Sequence, residues 1–131
     1  MNISHFKQAL EAQTKAIDEL EEARDNRCKD GWVIRWHHEE EANDQYLAIE
    51  KDYGFGWGYE DYWYITVFDN EEDANKVMSL LKQHYRHSTF SLVRNDYKKV
   101  KSEMNMRIYT LKNPRKLLCK IVNYFKLKEE K

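Results

Sequence analysis

The apolar residues of this chain change their spacing at residue 32, and that change limits the fold more than any other feature. Before it, Phe6, Leu10, Ile17 and Leu20 recur at helical spacing with Ala9, Ala16 and Ala23 beside them, while Glu11, Lys15, Asp18, Glu22 and Asp25 take the opposite face. Gln13 interrupts the stripe once. The pattern makes an amphipathic helix of about six turns. Ser4 is its N-cap, and it ends near Arg24–Cys28, ahead of the Asp30-Gly31 turn signal. From Trp32 the period is two: Trp32, Ile34 and Trp36 alternate with Val33, Arg35 and His37, which is a strand.

Short elements of both kinds follow. Tyr46–Lys51 reads as a second strand, with Leu47 and Ile49 on one face. Tyr62–Phe68 reads as the strongest strand, because its β-branched and aromatic residues suit a pleated, partly buried surface. Asp69, with Glu72 three residues on, has capping-box spacing for a second helix striped by Ala74, Val77, Met78, Leu81 and Tyr85. Phe90–Val93 gives a fourth strand and Met106–Leu111 a fifth; Tyr97–Glu103 between them is either a lysine-rich hairpin loop or a short helix. Asn113-Pro114 starts a third helix, with Leu117, Leu118, Ile121, Val122 and Phe125 on one arc and Arg115, Lys116, Lys120 and Lys126 on the other. The expected fold is α+β: an antiparallel sheet of four to five strands with three helices (N-terminal, middle and C-terminal) packed on it, the whole chain 1–131 forming a single domain.

Composition agrees with a folded chain of this kind. Aromatic residues at 14% supply enough apolar surface for one core, and 34% charged residues give it a heavily solvated exterior. No run approaches the length of a membrane span, and MNISHFKQAL lacks the apolar core of a signal peptide. Cys28 and Cys119 are far apart and form no CxxC pair, so free thiols in a reducing, cytoplasmic setting are expected.

The net charge of −1 conceals a division: residues 1–73 carry −12 and residues 74–131 carry +11. Such asymmetry marks interaction surfaces if the poles stay apart in the fold, and nothing if they interleave. The acidic pole gathers Glu39, Glu40, Glu41, Asp44, Asp52, Glu60 and Asp61 around one dense aromatic segment. In that segment Tyr53, Phe55, Trp57 and Tyr59 alternate with Gly54, Gly56 and Gly58, and Tyr62, Trp63 and Tyr64 follow. Alternate glycines leave one side of an extended strand bare, so that a ring, another backbone or a ligand can approach. Exposed, such rings anchor protein interfaces or stack on bases; buried, they cover one end of a core. The basic pole gathers Arg94, Lys98, Lys99, Lys101 and Arg107 with the helical stripe Arg115, Lys116, Lys120 and Lys126, a set able to read phosphates. A basic amphipathic helix can also lie on an anionic membrane, but its apolar arc is about what core packing alone requires.

Chemical signatures are weak. The GxGxG spacing leads into a strand and lacks the lysine of a phosphate loop. No GxSxG elbow occurs. His37 and His38 point to opposite faces of a strand, His84 and His87 lack a metal-site spacing, and Cys28, at the end of an acidic helix, is expected to have a raised pKa. No catalytic residue, metal ligand or cofactor is therefore expected.

The expected function is non-enzymatic binding of a nucleic-acid-handling protein or nucleoprotein, as an inhibitor or accessory factor. Carboxylates spread over a surface imitate a phosphate backbone, and the binding surface would be Tyr53, Phe55, Trp57, Tyr59, Glu60 and Asp61. By composition alone the chain is of the type of small inhibitors carried by phages and mobile elements, which is an analogy of class. Direct RNA or DNA binding by the basic stripe is the first alternative. Sequestration of a nucleotide-like ligand at Gly54–Gly58 is the second. No membrane partner is expected, and head-to-tail complementarity of the two poles makes a homodimer reasonable.

Overall fold

Seven elements account for most of the residues that the computed structural model describes, namely 3–37, 39 and 43–129. They are α1 (Ile3–Arg27), β1 (Trp32–His37), β2 (Gln45–Glu50), β3 (Gly54–Gly58), α2 (Glu71–His84), β4 (Thr89–Arg94) and α3 (Lys98–Glu129). Three helices and a four-stranded antiparallel sheet make the fold α+β. The chain divides into two compact units, one of Met1–Glu22 with Glu103–Lys131, the other of Ala23–Ser102.

In the second unit the strands lie in the order β3-β2-β1-β4. Period-two alternation sends Ile34 and Trp36 to one face and Val33 to the other. On the first face, Ile34, Leu47 and Phe90 are buried with Leu81 of α2, and Trp36, Trp57, Val77, Met78, Tyr85 and Leu92 close around them. Each fully buried side chain of this kind contributes about 1.5–3 kcal/mol. On the second face, Val33, Ile65 and Val67 are buried beneath Tyr46, Tyr62 and Val93. Asn70 caps α2: its side chain accepts from the Asp73 amide at 2.8 Å, and Glu71, Glu72 and Asp73 place negative charge in the first turn. The cap is thus one residue beyond the expected Asp69, whose carboxylate pairs instead with Lys29 at 2.8 Å.

Three expected elements are corrected. Tyr62–Phe68 is not a strand of the sheet. Among the described residues β1 and β2 pair only at Arg35 with Tyr46 and Trp36 with Gln45; toward the start of β1, the extended segment takes the place of that ladder. The Thr66 amide donates to Leu47 O at 2.9 Å, the Ile49 amide donates to Thr66 Oγ1 at 2.8 Å, and Phe68 exchanges two backbone hydrogen bonds with Trp32. Its apolar alternation is satisfied by packing, with Ile65 and Val67 buried, and not by ladder pairing. Gly31 permits this approach, since a Cβ there would lie 2.4 Å from Phe68 O. In its stead the glycine-aromatic run forms β3, paired to β2 with Trp57 opposite Leu47 and Phe55 opposite Ile49.

Met106–Leu111 is not a strand, and Asn113-Pro114 does not begin a helix. α3 runs unbroken from Lys98, which also resolves Tyr97–Glu103 as largely helical, with Pro114 in its interior. A proline there costs about 3 kcal/mol relative to alanine. The offsetting term is a helical stripe, longer than local reading reveals, through Met104, Ile108, Leu111, Arg115, Leu118, Val122 and Phe125, of which Met104, Ile108 and Val122 are buried. In the first unit this face of α3 meets α1 antiparallel. Phe125 stacks on Phe6 with ring centroids 5.7 Å apart, Arg115 Nε donates to Thr14 Oγ1 at 2.9 Å, and Lys112 pairs with Glu21 at 3.3 Å.

Candidate functional site

The end of β1, the start of β2, the loop after β3, the chain between β4 and α3 and the first turn of α3 converge within the second unit around a cavity of about 870 Å³. His37, Asn43, Asp44, Tyr46, Tyr59, Glu60, Asp61, Asp96, Lys99 and Val100 line it. The hairpin register sets the first of these: pairing of Trp36 with Gln45 puts His37 and Asp44 beside each other, and His37 Nδ1 lies 2.7 Å from Asp44 Oδ1. Arg35 Nε stands 3.6 Å from the other Asp44 oxygen and donates to Ser91 Oγ at 3.1 Å. Burial, followed by the negative charge of Glu60, pushes the Tyr46 phenol up from its ordinary value.

Arg27 holds the loop that carries Tyr59, Glu60 and Asp61. It is the last residue of α1 and only 2% exposed. Its guanidinium donates to Tyr62 O at 3.0 Å, to Glu60 O at 2.8 Å and to Asn95 Oδ1 at 2.5 Å. Asn95 returns its amide to Arg27 O at 2.7 Å and Lys29 O at 2.9 Å. Burial pulls the Arg27 pKa below the usual arginine value, against the opposing pull of neighbouring acidic groups. One planar fork thus spans the carbonyls on either side of Asp61. Sequence reading missed Arg27 because an arginine at the end of an amphipathic helix looks like a solvated cation near the negative end of the dipole.

The expected acidic, aromatic surface is brought together only in part. Glu60 and Asp61 are exposed at the cavity beside Tyr59, which is 48% exposed, and Asp44 and Asp96 join them. Tyr53 and Phe55, at the start of β3, are exposed at 85% and 51% and do not line the cavity. Trp57 faces the core, its ring centroid 4.9 Å from Trp36 and 5.9 Å from Phe90. Asp52 is exposed outside the cavity and Glu39 is exposed; Glu40, Glu41 and His38 lie outside the described residues. The bare side of the glycine strand is filled at Gly58, where a Cβ would lie 2.5 Å from the Tyr62 ring. The Tyr62 hydroxyl donates to Glu50 Oε2 at 2.8 Å, and burial together with this bond raises the phenol to about 12.

The basic set divides between the two units. Arg94, Lys98, Lys99 and Lys101 belong to the second. Arg94 lies over the Trp32 ring at 4.4 Å, while Lys98, Lys99 and Lys101 are exposed in and beside the first turn of α3. Arg107, Arg115, Lys116, Lys120 and Lys126 belong to the first unit, where Arg115 is engaged with Thr14 and the others are exposed.

Both cysteines are free thiols. The Cys28 pKa is raised as expected, but burial is the main cause; Arg27, Lys101 and Arg24 pull it down. Among the described residues no three His, Cys, Asp or Glu side chains come together as metal ligands, and no helix is long and apolar enough to cross a membrane. No family model, no curated protein and no solved structure matches the chain.

Proposed function

We propose that the protein is a non-enzymatic binding protein whose acidic cavity receives a cationic surface of a nucleic-acid-handling protein or nucleoprotein, as an inhibitor or accessory factor. The observation that carries this reading is the lining of the cavity: Asp44, Glu60, Asp61 and Asp96 beside Tyr46 and Tyr59, with Lys99 the one lysine or arginine lining it among the described residues. Carboxylates spread over a concave surface present the sign of charge that a phosphate backbone presents, and so attract the same lysines and arginines. Half-exposed Tyr59 supplies an aromatic anchor at the rim.

The test is binding of the full chain to purified nucleic-acid-handling proteins of its host, with and without competing nucleic acid. The expected partner is displaced by nucleic acid, and the variant Asp44→Asn/Glu60→Gln/Asp61→Asn loses it. A partner held equally well by that variant refutes the reading, as does a host set in which nothing binds competitively with nucleic acid.

One observation favours a second reading, direct phosphate binding. The first turn of α3 contains no acidic residue and exposes Lys98, Lys99 and Lys101, so lysine charge and the positive end of the helix dipole coincide. This reading predicts a gel shift that weakens steeply with salt and disappears in Lys98→Glu/Lys99→Glu. For the nucleotide-sequestering alternative at Gly54–Gly58, the Tyr62 ring occupies the approach at Gly58, while Gly54 and Gly56 stay open.

A further inference from the structure

α3 is apolar on two faces. Opposite the stripe that meets α1, Met106, Tyr109, Leu117, Tyr124 and Leu127 stand 70%, 68%, 61%, 59% and 63% exposed. At about 100° per residue they share one arc roughly 80° wide with Asn113 and Lys120. A helix apolar on both sides is one that a second partner covers. We propose that the partner is a second copy of this chain, docked antiparallel along the outer face of α3.

The order of residues along the arc identifies the occupant. A two-fold dimer needs a surface complementary to itself, and this stripe reads alike in both directions about the midpoint between Lys116 and Leu117. Antiparallel pairing about that point sets Met106 against Leu127 of the other copy, Tyr109 against Tyr124 and Asn113 against Lys120, with Leu117 near the axis. Met106, Asn113, Lys120 and Leu127 recur every seven residues, the repeat of a helix-helix seam, and polar Asn or Lys residues in such a seam fix its register at some expense in stability. In this register the two polar residues meet each other: the Lys120 ammonium can donate to the Asn113 side-chain carbonyl, while a slip of one heptad sets one of them against its own copy and the other against Met106 or Leu127. Five side chains offering roughly 100 Å² each give on the order of 500 Å² per copy and about 1,000 Å² in all, the lower bound of a specific interface.

The flanking charge sets the salt dependence. Lys116 and Lys120 lie beside and within the seam, Lys112 being paired with Glu21, and no acidic residue occurs between Glu103 and Glu129. Lysine stems lie along apolar surface with their heads in water, but like charges face each other across the seam. The dimer therefore tightens as salt rises, opposite to the behaviour of an anionic partner on the same face. The seam lies wholly in the unit of Met1–Glu22 and Glu103–Lys131 and does not depend on the acidic cavity.

Sedimentation equilibrium of the full chain across a concentration series, at low and high salt, is the first experiment. The expected mass is twice the 16.0 kDa of one chain, with the dimer favoured at high salt and lost in Leu117→Glu. A register-specific cross-link is the second: Asn113→Cys/Lys120→Cys in a Cys28→Ser/Cys119→Ser background. Residues seven apart on one helix are separated by roughly 10 Å, too far for a disulfide within one chain, so oxidation is expected to give a covalent dimer with a 113–120 linkage by peptide mass spectrometry. A monomer at every concentration and salt overturns the proposal. So does a dimer that survives Leu117→Glu with no 113–120 linkage.

Discussion

Replacing Arg27 by lysine tests how the acidic loop is held. The guanidinium reaches three acceptors at once: Glu60 O at 2.8 Å, Tyr62 O at 3.0 Å and Asn95 Oδ1 at 2.5 Å. An ammonium at the end of a similar stem is a point donor and keeps one of them. Asn95 remains tied by its own amide to Arg27 O and Lys29 O, so the bonds given up are those to Glu60 and Tyr62. Bonds from a charged donor contribute about 1.5 kcal/mol each at the low end, which suits partly buried carbonyls, so Arg27→Lys is expected to destabilise by about 3 kcal/mol. For a chain of this length that lowers the melting temperature by roughly 10 °C. All of the chain's tryptophans, Trp32, Trp36, Trp57 and Trp63, lie in the unit that contains the clamp, so intrinsic fluorescence during urea unfolding reports it directly. A variant within about 1 kcal/mol of wild type refutes the reasoning, because one unsatisfied carbonyl alone exceeds that. Arg27→Met gives a control on mechanism. If desolvation of the charge outweighed the bonds it makes, methionine would stabilise; loss of stability is the expected result.

Three further outcomes follow from single contacts. Gly58→Ala drives the Tyr62 ring away from Glu50, since the new Cβ would lie 2.5 Å from Tyr62 Cδ2; the phenol then titrates nearer its ordinary 10.0 than 12 in an ultraviolet absorbance titration. In the wild type that phenol's pKa is raised on folding, so its contribution to stability is complete below about 10 and is lost as pH climbs through about 12. Tyr62→Phe is expected to flatten the alkaline limb of a stability-pH curve, and an unchanged limb would show that another group sets it. Gln13→Leu is expected to stabilise by about 1 kcal/mol in far-ultraviolet circular dichroism denaturation, because Gln13 Oε1 is buried without a partner among the described residues; a loss of stability would mean that the amide has one.

Much of the fold was legible where one local rule acts without competition. α1, β1, β2, α2 and β4 lie within a residue or two of the periods that announce them, because alternation or a helical stripe over six or more residues has one way to bury its apolar side. The candidate site was legible as composition only. Asp44, Tyr59, Glu60 and Asp61 were singled out for their charge and rings, but nothing in their order says that Asp96 and Lys99 join them across the sheet while Trp57 turns into the core.

The sequence by itself determined the class of fold, the positions of most elements and the opposed charge of the two halves, since these follow from residue type and from spacing over a few neighbours. Tertiary structure decided which extended segment enters the ladder, whether Pro114 ends a helix, and where the Arg27 fork points. In each case several local solutions differ by only a few kcal/mol. Contacts between residues far apart in the chain, as between Trp32 and Phe68, Arg115 and Thr14, or Arg27 and Glu60, are large enough to choose among them.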